Sequence, residues 1–133
     1  MKFLQFNIEQ WQTMHDHVAG SFPEEACGLV AGKGLVVNDI YPITNITHSE
    51  SRFVMDPKEQ YAAFKKIDNT NLELLGIYHS HPVGPDFPSL IDVRSFSYPG
   101  VFYLIWSKIK EDWQIRGFEI GTNVPEEVLL RFV

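Results

Sequence analysis

Six consecutive apolar residues, Val101 to Trp106, follow directly on Pro99-Gly100, and nothing else in this 133-residue chain restricts its fold as much. The run is aromatic and aliphatic, bounded by turn residues and short, so it reads as the most strand-like segment of the sequence. Leu72 to Tyr78 reads as a second buried strand that runs straight into His79. Ala26 to Val37, broken by Ala31-Gly32-Lys33-Gly34, reads as two strands joined by a Gly-rich turn, and Asp39 to Thr47 continues extended. Trp113 to Ile120 alternates as a further strand, while Glu126 to Val133 fits either helix or strand.

Helices are expected between these runs. From Asn7 onward, Ile8, Trp11, His15 and Val18 recur at three- and four-residue spacing, and Asn7 with Gln10 fits a capping box; Gly20 and Pro23 mark the exit. Asp56 is a natural N-cap, Pro57 suits the first helical position and Glu59 completes a second box, with Tyr61, Phe64 and Ile67 as the apolar stripe. A short helix is expected from Ser89, ending before Pro99. Strands interleaved with about three helices predict an α/β (α+β) fold around one central mixed sheet, a single domain over residues 1–133. The spacing leaves the topology open.

Composition removes several function classes. Eleven basic against seventeen acidic residues leave a net charge of −6, with Lys and Arg scattered, so neither a nucleic-acid face nor an anionic-membrane face is expected. No segment approaches the roughly 18–20 apolar residues of a membrane span, and Met1 to Phe6 lacks the apolar core of a signal peptide. The single cysteine, Cys27, makes no intrachain disulfide and fits a reducing cytoplasm. In that setting Asn45-Ile46-Thr47, a formal glycosylation acceptor, carries no meaning.

The chemistry concentrates in His79-Ser80-His81-Pro82 and Ser89-Leu90-Ile91-Asp92. Residues two apart on an extended chain point the same way, so His79 and His81 can reach one metal ion. Residues three apart share a helix face, so Ser89 and Asp92 converge. Two imidazoles and a carboxylate leave a fourth position open, which is the donor set of catalytic zinc. Ser89 and Asp92 also fit a plain capping box, and capping does not exclude ligation. Upstream, Glu24 and Glu25 must face opposite ways in a strand, and the residues alone do not decide which turns inward. Cys27 reads as a small buried residue, His15, His17 and His48 receive no role, and Asp86 reads as a loop carboxylate or a spare ligand.

This motif, with Pro23-Glu24-Glu25-Ala26-Cys27-Gly28-Leu29-Val30 before it, resembles that of the JAMM (MPN-plus) zinc metalloproteases, and Tyr98-Pro99-Gly100 is similar to small bacterial members. The likeness spans about residues 8–120. It implies an MPN/JAB-like fold and one Zn²⁺ per chain held by His79, His81 and Asp92. It also implies Glu25, rather than Glu24, as general acid/base and Ser89 as stabiliser of the oxyanion. The implied activity is hydrolysis of peptide or isopeptide bonds at the C-terminal Gly-Gly tail of ubiquitin-like or sulfur-carrier proteins. Removal of an amino-acid adduct from a sulfur carrier, or a catalytically silent MPN scaffold, are the alternatives.

Overall fold

The computed structural model describes residues 2–95, 98–121 and 124–133. Seven strands and three helices follow in the order β1 (Phe3–Phe6), α1 (Ile8–Ser21), β2 (Cys27–Lys33), β3 (Val36–Ile43), α2 (Pro57–Asn69), β4 (Glu73–His81), α3 (Leu90–Ser95), β5 (Phe102–Ile109), β6 (Asp112–Ile120) and β7 (Pro125–Phe132). The strands form one mixed sheet in the order β1-β3-β2-β4-β5-β6-β7, which closes on itself through parallel β7–β1 pairing. β4–β5 and β1–β3 are also parallel, and the remaining pairs are antiparallel. Among the described residues, no helix is long and apolar enough to cross a membrane.

The apolar runs become the centre of this sheet. β4 and β5 pair from Gly76↔Phe102 to His81↔Ser107, so the apolar run of β5 lies directly beside the strand that carries both histidines. The β2–β3 turn has two residues, and Gly34 at its first position adopts φ +63°, where a II′ turn places its glycine. Closure depends on β1, which carries no turn signal of its own and was not expected from the sequence. Its Leu4 and Phe6 are buried against Met14 and Val18 of α1 together with Val30, Tyr78, Leu104 and Trp106. On the other side of the sheet Cys27, Leu29, Ile77 and Ile105 pack with Ala63 of α2.

Both helices start where the sequence places them, but the expected box at α2 is not completed by Glu59, and both helices differ in which residues they bury. Asn7 Oδ1 accepts from Gln10 N and Gln10 Oε1 accepts from Asn7 N, a complete box. Ile8, however, is exposed, whereas Gln10 is buried because its Nε2 donates to the Val37 and Asn38 carbonyls of β3. At α2, Asp56 caps Lys58 N and Glu59 N, but the Glu59 carboxylate leaves its own helix to accept Thr44 N at 2.9 Å. The expected stripe loses Tyr61, which is exposed under Lys65; Ala63 and Ile67 are the buried pair.

Candidate metal centre

The site grows from the ends of two neighbouring strands. β2 and β4 run antiparallel with Cys27 opposite His79, and continuing that register by two residues sets Glu25 opposite His81. Two hydrogen bonds tie the strand ends there, Ser80 N to Ala26 O at 3.0 Å and Ala26 N to Ser80 Oγ at 2.8 Å. Ser80 thus turns away from the site, while His79 and His81 share the opposite side, their Nε2 atoms 3.0 Å apart.

Asp92 arrives from the first turn of α3. Its Oδ2 lies 3.3 Å from His79 Nε2 and 3.1 Å from His81 Nε2, and it also accepts Ser89 N at 2.8 Å. Ser89 Oγ in turn accepts Asp92 N at 3.0 Å, so the capping box is real and aims the same carboxylate at both imidazoles. Among the described residues, His79, His81 and Asp92 are the group whose donor atoms can meet on one metal ion, and all three are buried. Tetrahedral bonds of 2.0–2.1 Å space adjacent ligand atoms about 3.3 Å apart. The observed triangle is one face of such a tetrahedron, slightly closed.

The two imidazoles are held differently. The Pro85 carbonyl only accepts, so the 2.7 Å contact puts a proton on His81 Nδ1 and leaves Nε2 facing Asp92. The His79 ring is wedged instead, 4.7 Å from the Phe53 ring and 5.5 Å from that of Tyr103. Burial works against the Asp92 carboxylate, yet hydrogen bonds from His79, His81 and the Ser89 backbone hold it well below the usual carboxylate range. Glu25, 4% exposed, has no such partners among the described residues. Burial pushes its carboxyl up to about 8, the His81 charge drawing it down and the Asp92 charge raising it. A carboxyl that exchanges a proton near neutral pH therefore lies in the field of the His81–Asp92 pair.

Residues 8–117 match the family described as prokaryotic homologs of the JAB domain. The chain belongs to this family. A desampylase of Haloferax volcanii is 36% identical over 93 residues, 67% of this chain and 66% of that protein. A CysO-cysteine peptidase of Mycobacterium tuberculosis is 30% identical over 93 residues, 68% of this chain and 64% of that protein. The matched stretch thus spans just under two thirds of each relative's length. A solution structure from Desulfitobacterium hafniense superposes with TM-score 0.86 at 31% identity, covering 99% of this chain and 93% of the other. A JAB1/MPN domain protein from Archaeoglobus fulgidus shares the fold alone, with TM-score 0.62 at 19% identity over 100% of both chains.

Within this JAB domain the remaining candidates separate cleanly. Glu24 faces outward, where it accepts a hydrogen bond from His48 Nδ1 at 3.0 Å. Cys27 is fully buried, its thiol near the Ile43 carbonyl and pushed up to about 12 by burial and the Glu25 and Glu59 charges, so it is no nucleophile. The Asp86 carboxylate is committed to Arg116 at 2.9 Å and does not join the three donors. His15 stacks on Trp11, and His17 Nδ1 hydrogen-bonds the buried Tyr78 hydroxyl at 2.7 Å.

Sequence reasoning missed Asn45. Its buried amide donates to the Glu25 and Arg52 carbonyls, while its Oδ1 accepts Thr47 N, Thr47 Oγ and Val54 N. The side chain that formally matched a glycosylation acceptor instead fastens the Glu25 strand to residues 52–54. Those residues wall a groove of about 470 Å³ that opens beside Ser89 and Asp92 and is lined also by Phe53, Met55, Tyr98 and Tyr103. Ile46 N donates to Val54 O and Asp56 N to Thr44 O, both at 2.9 Å, around an Asn45–Met55 bridge. The alternation turns the backbone groups of Phe53 and Met55 away from residues 44–46, and no backbone partner meets them among the described residues.

Proposed function

We propose that this chain is a zinc-dependent metallopeptidase that hydrolyses the peptide or isopeptide bond at the C-terminal Gly-Gly tail of a ubiquitin-like or sulfur-carrier protein in the cytoplasm. The observation that carries this reading is the meeting of His79 Nε2, His81 Nε2 and Asp92 Oδ2 within 3.0–3.3 Å, with Glu25 buried across the strand pair. These three residues would hold the zinc. When bound, zinc acidifies water to near neutral pH and polarises a carbonyl.

Glu25 is the proton carrier. Buried across the strand pair from His81, its carboxylate would take a proton from the attacking water and deliver it to the departing amine. Asn45 fixes the backbone from which that carboxyl projects. Ser89 Oγ is occupied as an acceptor by Asp92 N, which leaves its hydroxyl proton to donate to the developing oxyanion from the rim of the groove. The outward backbone groups of Phe53 and Met55 can receive an extended tail as an added strand, and the tail would then run toward Ser89 and Asp92 between aromatic walls.

The name of the mycobacterial relative favours a second reading, release of an amino acid from a carrier's C-terminus. Both readings are tested by incubating the purified zinc-loaded chain with two substrates. One is a Gly-Gly-ended carrier bearing a single C-terminal amino acid, and the other is the same carrier linked to a lysine side chain. Mass spectrometry should show cleavage directly after the second glycine in at least one, stopped by a chelator and by bulky residues in place of the glycines. Hydrolysis by the isolated chain excludes a silent scaffold; no cleavage of either substrate contradicts the proposal.

A further inference from the structure

We propose that Arg116 is a positioning residue that fixes the orientation of His81 from β6, two strands away, a role that rests on the reading of His81 as a metal ligand. The register places Cys27, His79, Ile105 and Arg116 in one transverse row across β2, β4, β5 and β6. Arg116 therefore rises on the same side of the sheet as the imidazoles, two strands away from His79. Its guanidinium lies 5.1 Å from the Phe118 ring. Nε and Nη2 make two 2.8 Å bonds to the Glu127 carboxylate of β7. Nη1 reaches across to the loop after β4, 2.9 Å from Asp86 Oδ2 and 3.2 Å from the Asp86 carbonyl.

Asp86 adjoins Pro85, and the Pro85 carbonyl receives the His81 Nδ1 proton at 2.7 Å. The other end of the loop is closed by Gly84 N on the His81 carbonyl at 3.0 Å. The loop is thus pinned beside its base by its own backbone and beyond Pro85 by Arg116. A carbonyl held in place selects one imidazole tautomer and one ring orientation, which is what groups behind a ligand do for metal affinity. Four contacts to two residues demand a planar fork of donors, which arginine has and lysine lacks. Asp86, Arg116 and Glu127 are all partly exposed, and an ion pair in that setting adds little to global stability. Orientation of the loop, rather than stability, is the consequence of the network.

Arg116→Gln removes the fork, Asp86→Ala removes the carboxylate it grips and leaves only the backbone carbonyl contact, and Arg116→Lys keeps the charge without the fork. In metal-free protein, the His81 Nδ1 proton should be protected from solvent exchange in the wild type and exchange about tenfold faster in the first two variants, with melting curves unchanged. Zinc affinity by chelator competition should fall by about tenfold, the low end for groups behind a ligand, with Arg116→Lys intermediate. Unchanged protection in variants that melt like the wild type overturns the proposal. A large loss of melting temperature in both variants also overturns it, because Arg116 would then be holding the fold. A wild type that takes up no zinc defeats the ligand reading alone, and the exchange measurement still decides whether Arg116 orients His81.

Discussion

Tyr78 and His79 are neighbours on β4 and both are 0% exposed, yet the sheet treats them in opposite ways. Tyr78 turns toward α1, lies across Gly28 of β2 and satisfies its hydroxyl on His17. His79 turns to the other side, where its Nε2 faces a second imidazole and a carboxylate oxygen, and its Nδ1 has no partner among the described residues. Tyr78 shows how this fold buries a polar group for stability: one large ring, one hydrogen bond, and room made by a glycine. His79 shows how it buries polar groups for chemistry, because donors and acceptors converge on a point that protein atoms alone leave unbalanced.

Substitutions should therefore separate by side, and the largest effect belongs to Glu25. Glu25→Gln should lower hydrolysis by about 10²–10⁴-fold, the usual worth of a general acid/base, while the zinc content stays that of the wild type. The same variant should be the more stable of the two in the metal-free state. The sign follows from the carboxyl standing at about 8 in the folded chain against 4.5 for the ordinary group. Between those values the folded state holds the proton and the unfolded state does not. Wild-type stability should thus decline as pH rises from 4.5 through 8, and the glutamine variant should lack that decline in urea melts.

On the α1 side the order reverses, with stability changing and the site untouched. A Cβ added at Gly28 would stand 2.1 Å from the Tyr78 ring, inside a sheet where neither side has room to move. Gly28→Ala should cost about 3 kcal/mol, read as a lowered urea midpoint, with zinc still bound by the folded fraction. Tyr78→Phe removes only the hydroxyl and should cost about 1 kcal/mol, with zinc affinity unchanged. Loss of zinc in either variant would mean that the two sides are not independent.

The two sides also differed in how far the sequence disclosed them. Local signals revealed the strands around the site: the largely apolar run into β4, the unbroken one of β5, the glycine turn after β2 and the Ser89–Asp92 box each act over a few residues. The helix or strand ambiguity at the C-terminus is resolved by pairing on both sides: Pro125 to Val128 pair with β6, and Leu129 to Phe132 pair with β1 as the sheet closes. Nothing within Phe3–Phe6 signals that closure, because a four-residue strand takes its conformation from β3 and β7 on either side. The spacing of His79, His81 and Asp92 follows from strand and helix periodicity, so their convergence was legible. Asn45 and Arg116 were not. Each works by reaching a backbone carbonyl on a loop distant in sequence, and a hydrogen bond to a carbonyl leaves no trace in the residue that receives it.

The central claim, that three side chains from β4 and α3 hold one metal ion, is tested most directly by metal content after loading and exhaustive dialysis. Wild-type protein should retain one zinc per chain and His79→Ala essentially none, with the fold of both checked by circular dichroism. Wild-type protein that retains no divalent metal, or a folded His79→Ala variant that retains zinc as tightly as the wild type, would contradict the account.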